Sequence, residues 1–135
     1  MKPSIEQLIR ALQRSWSVDT SSTASEWSDT NPARGQCVVS SLVVQHYLGG
    51  DLRRYHVTGN SIEETHYCNI LDNGTILDTT LHEYTIPVTL SILPMDLKGF
   101  ATLREKRLAD ENTQQRYELL LHRVEQRLTD NTHAS

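Results

Sequence analysis

Bulky aromatic side chains are scarce in this chain, which has one Phe, two Trp and five Tyr among 135 residues. A core built from it must rest on Leu, Val and Ile, and the length suits one compact domain. Cysteine is scarce too: Cys37 and Cys68 can close at most one disulfide, and a reducing compartment disfavours it, so both are expected as free thiols. An excess of positive charge is also missing. Thirteen basic against seventeen acidic residues give a formal charge of -4, which argues against a nucleic-acid or anionic-membrane partner. The opening MKPSIEQLIRALQRSW has no apolar core of a signal peptide. No run approaches the roughly 18 apolar residues of a membrane span. The expectation is a cytoplasmic protein.

What is present is patterned. SIEQLIRALQRSW puts Ile5, Leu8, Ile9, Leu12 and Trp16 at helical spacing, with Ser4 as the N-cap and Pro3 just outside it. Residues 17–34 turn to Ser, Thr, Asp, Asn and Pro. That connection exceeds the roughly 12–15 residues beyond which loops are usually functional or disordered, and Trp27 in its middle is expected to pin it. From Gln36 to Leu48 the chain is apolar round most of a helical circumference, through Val38, Val39, Leu42, Val43, Val44, Tyr47 and Leu48. This predicts a buried central helix. Gly49 and Gly50 end it, and Gly35 lets the chain turn sharply into it.

Short strands follow: LRRYHV (52–57), HYCNIL (66–71) and TILDTT (75–80), the last two joined through Asp72, Asn73 and Gly74 as a β-hairpin. Residues 81–94 read as extended chain with short turns. Helical spacing returns from Leu103. Thr113 is the expected cap of a last helix with Tyr117, Leu120, Leu121, Val124 and Leu128 on one stripe, and residues 129–135 are expected to fray. The predicted fold class is α+β, one domain over residues 1–135. A central buried helix bearing Cys37 packs on a small antiparallel sheet, with helices at both chain ends. The last helix offers a surface on which two copies could pair as a homodimer.

Cys37 opens the predicted central helix, where the helix dipole and free amide groups lower a thiol's pKa and N–H groups point at any developing oxyanion. The alternative is a small apolar residue on a buried helix. A working thiolate needs a base and a group to orient that base. His66 opens one strand and Asp78 lies on its hairpin partner, so the order along the chain is Cys on a helix start, His on a strand, Asp on the next.

With GQC opening the helix, GG closing it and HYCNILDNGTILDTT following, the chain resembles the YunG-like family of small bacterial proteins. The resemblance runs from Trp16 to the last helix. It rests on Asn31, Pro32 and Ala33, on Gly35, Gln36 and Cys37, on Gly49 and Gly50, and on His66, Tyr67, Asn69, Asp72, Gly74 and Asp78. More distantly it is similar to the transglutaminase-like and papain-like architecture, in which a buried helix presents a Cys and an antiparallel sheet a His and an Asp. That resemblance implies Cys37 as nucleophile, His66 as general base and Asp78 as the carboxylate that orients it.

The hairpin carries a geometric condition on this reading. A two-residue loop at Asn73 and Gly74 pairs Asn69 with Asp78 and turns Asp78 away from His66. A three-residue loop, 72–74, pairs Leu71 with Thr75 and Cys68 with Asp78, so that His66 and Asp78 share a face one diagonal step apart. The catalytic reading predicts the second, with Gly74 in a left-handed bulge position. Cys68 then lies on the same face, as packing filler or as a second redox thiol. Asn69 faces the other way, to hold the sheet or the polar loop. Gln36 is either an oxyanion donor or an exposed first-turn residue. Trp16 and Trp27 roof the site or close the core, the core being favoured. A metal site from Cys37, His66 and Cys68 lacks the close Cys pairs of structural zinc sites, so no metal or cofactor is expected. The expected function is acyl chemistry on an amide or thioester. The rival is a binding or structural module without turnover.

Overall fold

Ser4 starts the first helix, α1 (Ile5–Ser15), through a reciprocal cap: its hydroxyl accepts the Gln7 N–H while the Gln7 side chain accepts the Ser4 N–H. The computed structural model describes residues 2–133, with residues 131–133 as backbone only. Leu8 and Leu12 are buried on the inner face of α1, and Trp16 joins them at the end, its indole N–H donating to Ser40 Oγ at 2.9 Å. Residues 17–34 are not featureless. They contain two single-turn 3₁₀ helices, Val18–Thr20 and Ala24–Glu26, and Trp27 donates to the Pro32 carbonyl at 3.0 Å.

The central helix α2 (Cys37–Leu48) is buried without a break from Cys37 to Val44, serines included. It packs against both the sheet and the last helix. Asn69 ties it to the sheet by donating to the Ser41 carbonyl at 2.9 Å. Gly50, at φ 79°, leaves the helix so close to the neighbouring strand that a Cβ there would lie 2.2 Å from the Ile70 carbonyl oxygen.

The sheet has four antiparallel strands, β1 (Asp51–Gly59), β2 (Ile62–Ile70), β3 (Ile76–Leu77) and β4 (Thr89–Leu93), in the order β3-β2-β1-β4. Two sequence expectations are corrected here. The first two strands extend into one hairpin through Asn60 and Ser61, both in the left-handed region at φ 50° and 68°. The polar run TGNSIEET hid those strand ends, although its Gly-Asn pair is a turn signal. The third strand stops at Leu77 instead of running to Thr80, because Asp78 Oδ1 accepts the Thr80 N–H at 3.2 Å and turns the chain out of the sheet. The 81–94 stretch contains the edge strand β4, paired with β1.

Two helices close the chain. The short α3 (Leu103–Leu108) precedes α4 (Glu111–His133), which is started by Asp110 and not by Thr113: the Asp110 carboxylate accepts both the N–H and the hydroxyl of Thr113. Tyr117, Leu120 and Val124 are buried, with Leu121 and Leu128 packed beside them, so the expected stripe is the one in contact. The expected frayed tail is helical as far as His133, and residues 134 and 135 lie outside the described residues. Among the described residues no helix is long and apolar enough to cross a membrane.

Leu42 is fully buried between sheet and helices, whereas Ile92 on β4 is 65% exposed. Leu42→Ala should cost about 2–5 kcal/mol. Ile92→Ala should stay within about 0.5 kcal/mol. Urea titrations followed by circular dichroism would measure both.

Candidate active site

The start of α2 is built by its approach segment. Gly35 sits at φ 78° with Ser21 Oγ only 2.2 Å from where a Cβ would be, a backbone path closed to other residues. Ser21 donates to the Arg34 carbonyl and the Ser22 N–H to the Gly35 carbonyl, which seats the loop against the helix entrance. Gln36 is the N-cap residue, but its side chain makes no capping bond, unlike that of Ser4. The first amide N–H groups of α2 therefore keep their donor capacity. Cys37 occupies the first turn, 7% exposed, and lines a cavity of about 330 Å³.

The hairpin has the three-residue loop. Asn69 pairs with Leu77 and Ile70 with Ile76, and the Leu71 and Thr75 backbones bond next, at 2.8 Å, with Gly74 at φ 86°. Asp78 follows on the His66 side, and His66 Nε2 donates to Asp78 Oδ2 at 2.8 Å. His66 is fully buried. A ring nitrogen of His66, Cys37 Sγ and a carboxylate oxygen of Glu83 all lie within 4.8 Å of one another.

Glu83 is the residue that the sequence reading did not find. It sits on the single-turn 3₁₀ helix Leu81–Glu83, where no periodicity marks it, and its side chain is 1% exposed. One oxygen, Oε1, accepts from Arg34 Nη1 at 2.8 Å and from the Gly35 N–H at 3.2 Å. The other, Oε2, lies 3.2 Å from His66 Nδ1 but is not aligned with it, and has no hydrogen-bond partner. Arg34 joins three carboxylates: besides Glu83, it donates two bonds to Glu64 at 2.7 and 2.8 Å and two to Glu26 at 2.8 and 3.1 Å. Tyr84 donates to Glu64 at 2.8 Å, and its hydroxyl makes a long 3.4 Å contact with His66 Nδ1. The one sequence cue was position: Arg34 adjoins Gly35, Gln36 and Cys37.

These neighbours set the protonation states. Burial works against a charged His66, yet Asp78, Cys37 and Glu83 together outweigh it and the imidazole is pushed up to about 12. His66 is therefore an imidazolium over the neutral range. The Arg34 hydrogen bonds hold the Glu64 carboxyl below its ordinary value against the cost of burial. Burial first, then the Glu83 charge, raises the Tyr84 hydroxyl, so it stays a donor.

The remaining candidates fall elsewhere. Cys68 is buried on the His66 face, and burial followed by the Asp78 charge pushes its thiol up to about 11, so it stays protonated. It takes no part in the convergent donor set, where Glu83 stands instead of the Cys68 of the metal alternative. Gln36 is fully buried and not exposed, and one of its amide N–H bonds goes to the Ser17 carbonyl at 3.0 Å. Asn69 holds α2 and does not reach the polar loop. Trp16 closes the core, but Trp27 does neither thing expected of it. It is half-buried, outside the core cluster and away from the cavity lining, because its bond to Pro32 fixes it within its own loop.

A family model described as YunG protein matches residues 4–129. The chain is 30% identical, over 111 residues, to the Uncharacterized protein YunG of Bacillus subtilis (strain 168), covering 82% of this chain and 84% of that relative. No solved structure matches the chain.

Two measurements follow from the ion cluster. Arg34→Met strands the buried Glu83 charge and should cost about 3–5 kcal/mol in urea unfolding. Combining it with Glu83→Gln should recover part of that loss, and no recovery would mean that Glu83 is not the stranded charge. The His66 proton is bound more tightly in the folded chain, so its stabilisation is complete below its ordinary 6.5 and drains away as pH rises towards about 12. Urea midpoints between about pH 8.5 and 10 should fall with pH, and less steeply in Asp78→Asn.

Proposed function

The chain belongs to the YunG family, and we propose that it acts as a thiol enzyme on an amide or thioester, with Cys37 as nucleophile, His66 as acid and base, and Asp78 as the residue that orients His66. The observation that carries this reading is the clamped imidazole. Asp78 holds Nε2 at 2.8 Å, and Cys37 lies close enough to raise the ring's proton affinity. The sulfur meanwhile opens on a cavity at an uncapped helix start.

In the proposed reaction the Cys37 proton resides on His66, leaving a thiolate beside an imidazolium. The sulfur attacks the acyl carbon, and the carbonyl electrons move onto oxygen, which takes hydrogen bonds from the first N–H groups of α2. Collapse breaks the bond to the leaving amine or thiol, which takes the proton from His66. Acylation also removes the thiolate charge, one of the three influences that raise His66, so the imidazole becomes able to accept a proton. It does so from water, for hydrolysis, or from an acceptor amine, for transfer. The attack releases the acyl group and returns Cys37 to its starting state. Glu83 is a positioning residue here, joining the imidazole to Arg34. The order of helix-borne Cys, strand-borne His and following Asp supports reading α2, β2 and β3 as a reduced papain-like or transglutaminase-like core.

A second reading uses the same atoms. The convergence of Cys37, His66 and Glu83, with Glu83 Oε2 lacking any hydrogen-bond partner, suits a three-ligand zinc site whose His is backed by Asp78. Stoichiometric zinc binding that is lost in both Cys37→Ser and Glu83→Gln would favour it.

Alkylation by iodoacetamide, read residue by residue with mass spectrometry, tests the nucleophile. At pH 6 Cys37 should react while Cys68 does not. His66→Ala should slow Cys37 on the order of 100-fold, since an ordinary thiol near 8.5 is only about 0.3% thiolate there. If Cys37 is inert until urea unfolds the chain, the thiol enzyme is excluded and a binding module takes its place.

A further inference from the structure

The cavity above Cys37 has a charge opposite to that of the chain as a whole. Its lining includes five basic side chains and two acidic ones, in a protein of formal charge -4. Both acids, Glu64 and Glu83, are already hydrogen-bonded to Arg34. That leaves Arg54 from β1, Lys106 and Arg107 from α3, and Arg116 from α4, and among the described residues none of the four forms an ion pair with a carboxylate.

Their present partners are neutral. Arg54 donates to the Pro94 carbonyl, Lys106 to the Asp96 carbonyl, Arg116 to Asn112 and the Thr20 carbonyl, and Arg107 and Arg116 share the single hydroxyl oxygen of Thr113. The Nε atoms of Arg54 and Arg107 are buried without any hydrogen-bond acceptor. Two nearby carboxylates act on these cations through charge alone: Asp110, which caps Thr113, on Arg107 and Arg116, and Asp96, which pairs with Lys98 at 3.4 Å, on Lys106 and Arg54. Folding thus gathers repelling charges and leaves buried donors unmet, a combination that costs stability unless an anion completes it.

We propose that the substrate of Cys37 is a small acyl compound carrying an oxyanion, a carboxylate or a phosphate, held by Arg54, Lys106 and Arg107 with Arg116 behind them. The inference rests on Cys37 being the nucleophile. Size is consistent with it: about 330 Å³ is at the low end of ligand cavities, room for a compound and not for a folded partner. The arrangement also divides the labour of binding. The cations draw the anionic group to the cavity, while Asp78, bonded to His66, and Glu83, bonded to Arg34 beside it, keep the imidazolium in place.

The test compares two alkylating agents of similar size, iodoacetate and iodoacetamide, on the folded protein at low ionic strength. Cys37 should react about tenfold faster with the anionic reagent, the lower end of the rate gain in a cationic cleft. The ratio should collapse at 0.5 M salt and in the combined Arg54→Gln and Arg107→Gln variant. Should that variant fail to fold, Lys106→Gln alone should lower the ratio. In parallel, succinate and inorganic phosphate at matched ionic strength should raise the wild-type melting temperature relative to chloride, and whichever acts more strongly names the oxyanion. If iodoacetamide reacts as fast as iodoacetate, the anion site is overturned while the nucleophile stands. If Cys37 is inert to both reagents, the thiol enzyme fails. The anion site is then kept by a melting shift that the variant loses, and overturned by the lack of one.

Discussion

Arg34 is the ion on which the rest of the site depends. Its guanidinium receives Glu26 from the polar loop, Glu64 from β2 and Glu83 from the turn after the hairpin. Three segments far apart in sequence are thereby fixed around the residue that precedes Gly35 and the start of α2. Without that cation Glu83 would be a charge buried beside His66 with no compensation, which a protein interior does not tolerate cheaply. A lysine would not substitute, because five donors in a planar fork are what let one side chain satisfy three carboxylates.

Charge separation follows from this cluster. Below Cys37 the carboxylates of Glu83 and Asp78 flank one imidazole and keep it protonated. The cavity that Cys37 lines carries five basic side chains against two acidic ones. The Cys37 thiol lies among these groups, at a helix start whose N–H groups no side chain caps.

Packing supplies the rigidity such a site needs. α2 is buried along its first eight residues and is tied to β2 by Asn69 and to Trp16 by Ser40. Arg104 and Arg123 bond backbone carbonyls of other helices, so α3 is fixed to α2 and α4 to the end of α1 by more than apolar contact. The Asn69 bond links the helix that carries Cys37 directly to the strand that carries His66.

The sequence by itself determined the parts that depend on near neighbours. Helical spacing defined α1, α2 and the buried stripe of α4, and the turn chemistry of Asp72, Asn73 and Gly74 specified a loop whose register decides which side Asp78 faces. Where polar residues interrupted the pattern, as in TGNSIEET, strand ends were lost to the reader. The cap of α4 shifted from Thr113 to Asp110 because both residues take part in one capping contact. Only the tertiary structure decided that Glu83 completes the site, that Arg34 supports it and that Arg54 and Arg107 reach the same cavity. The physical reason is range. Periodicity and turns act within a few residues of the chain, whereas a buried charge is paired through space, and residues 26, 34, 64 and 83 carry no common spacing that would announce their meeting.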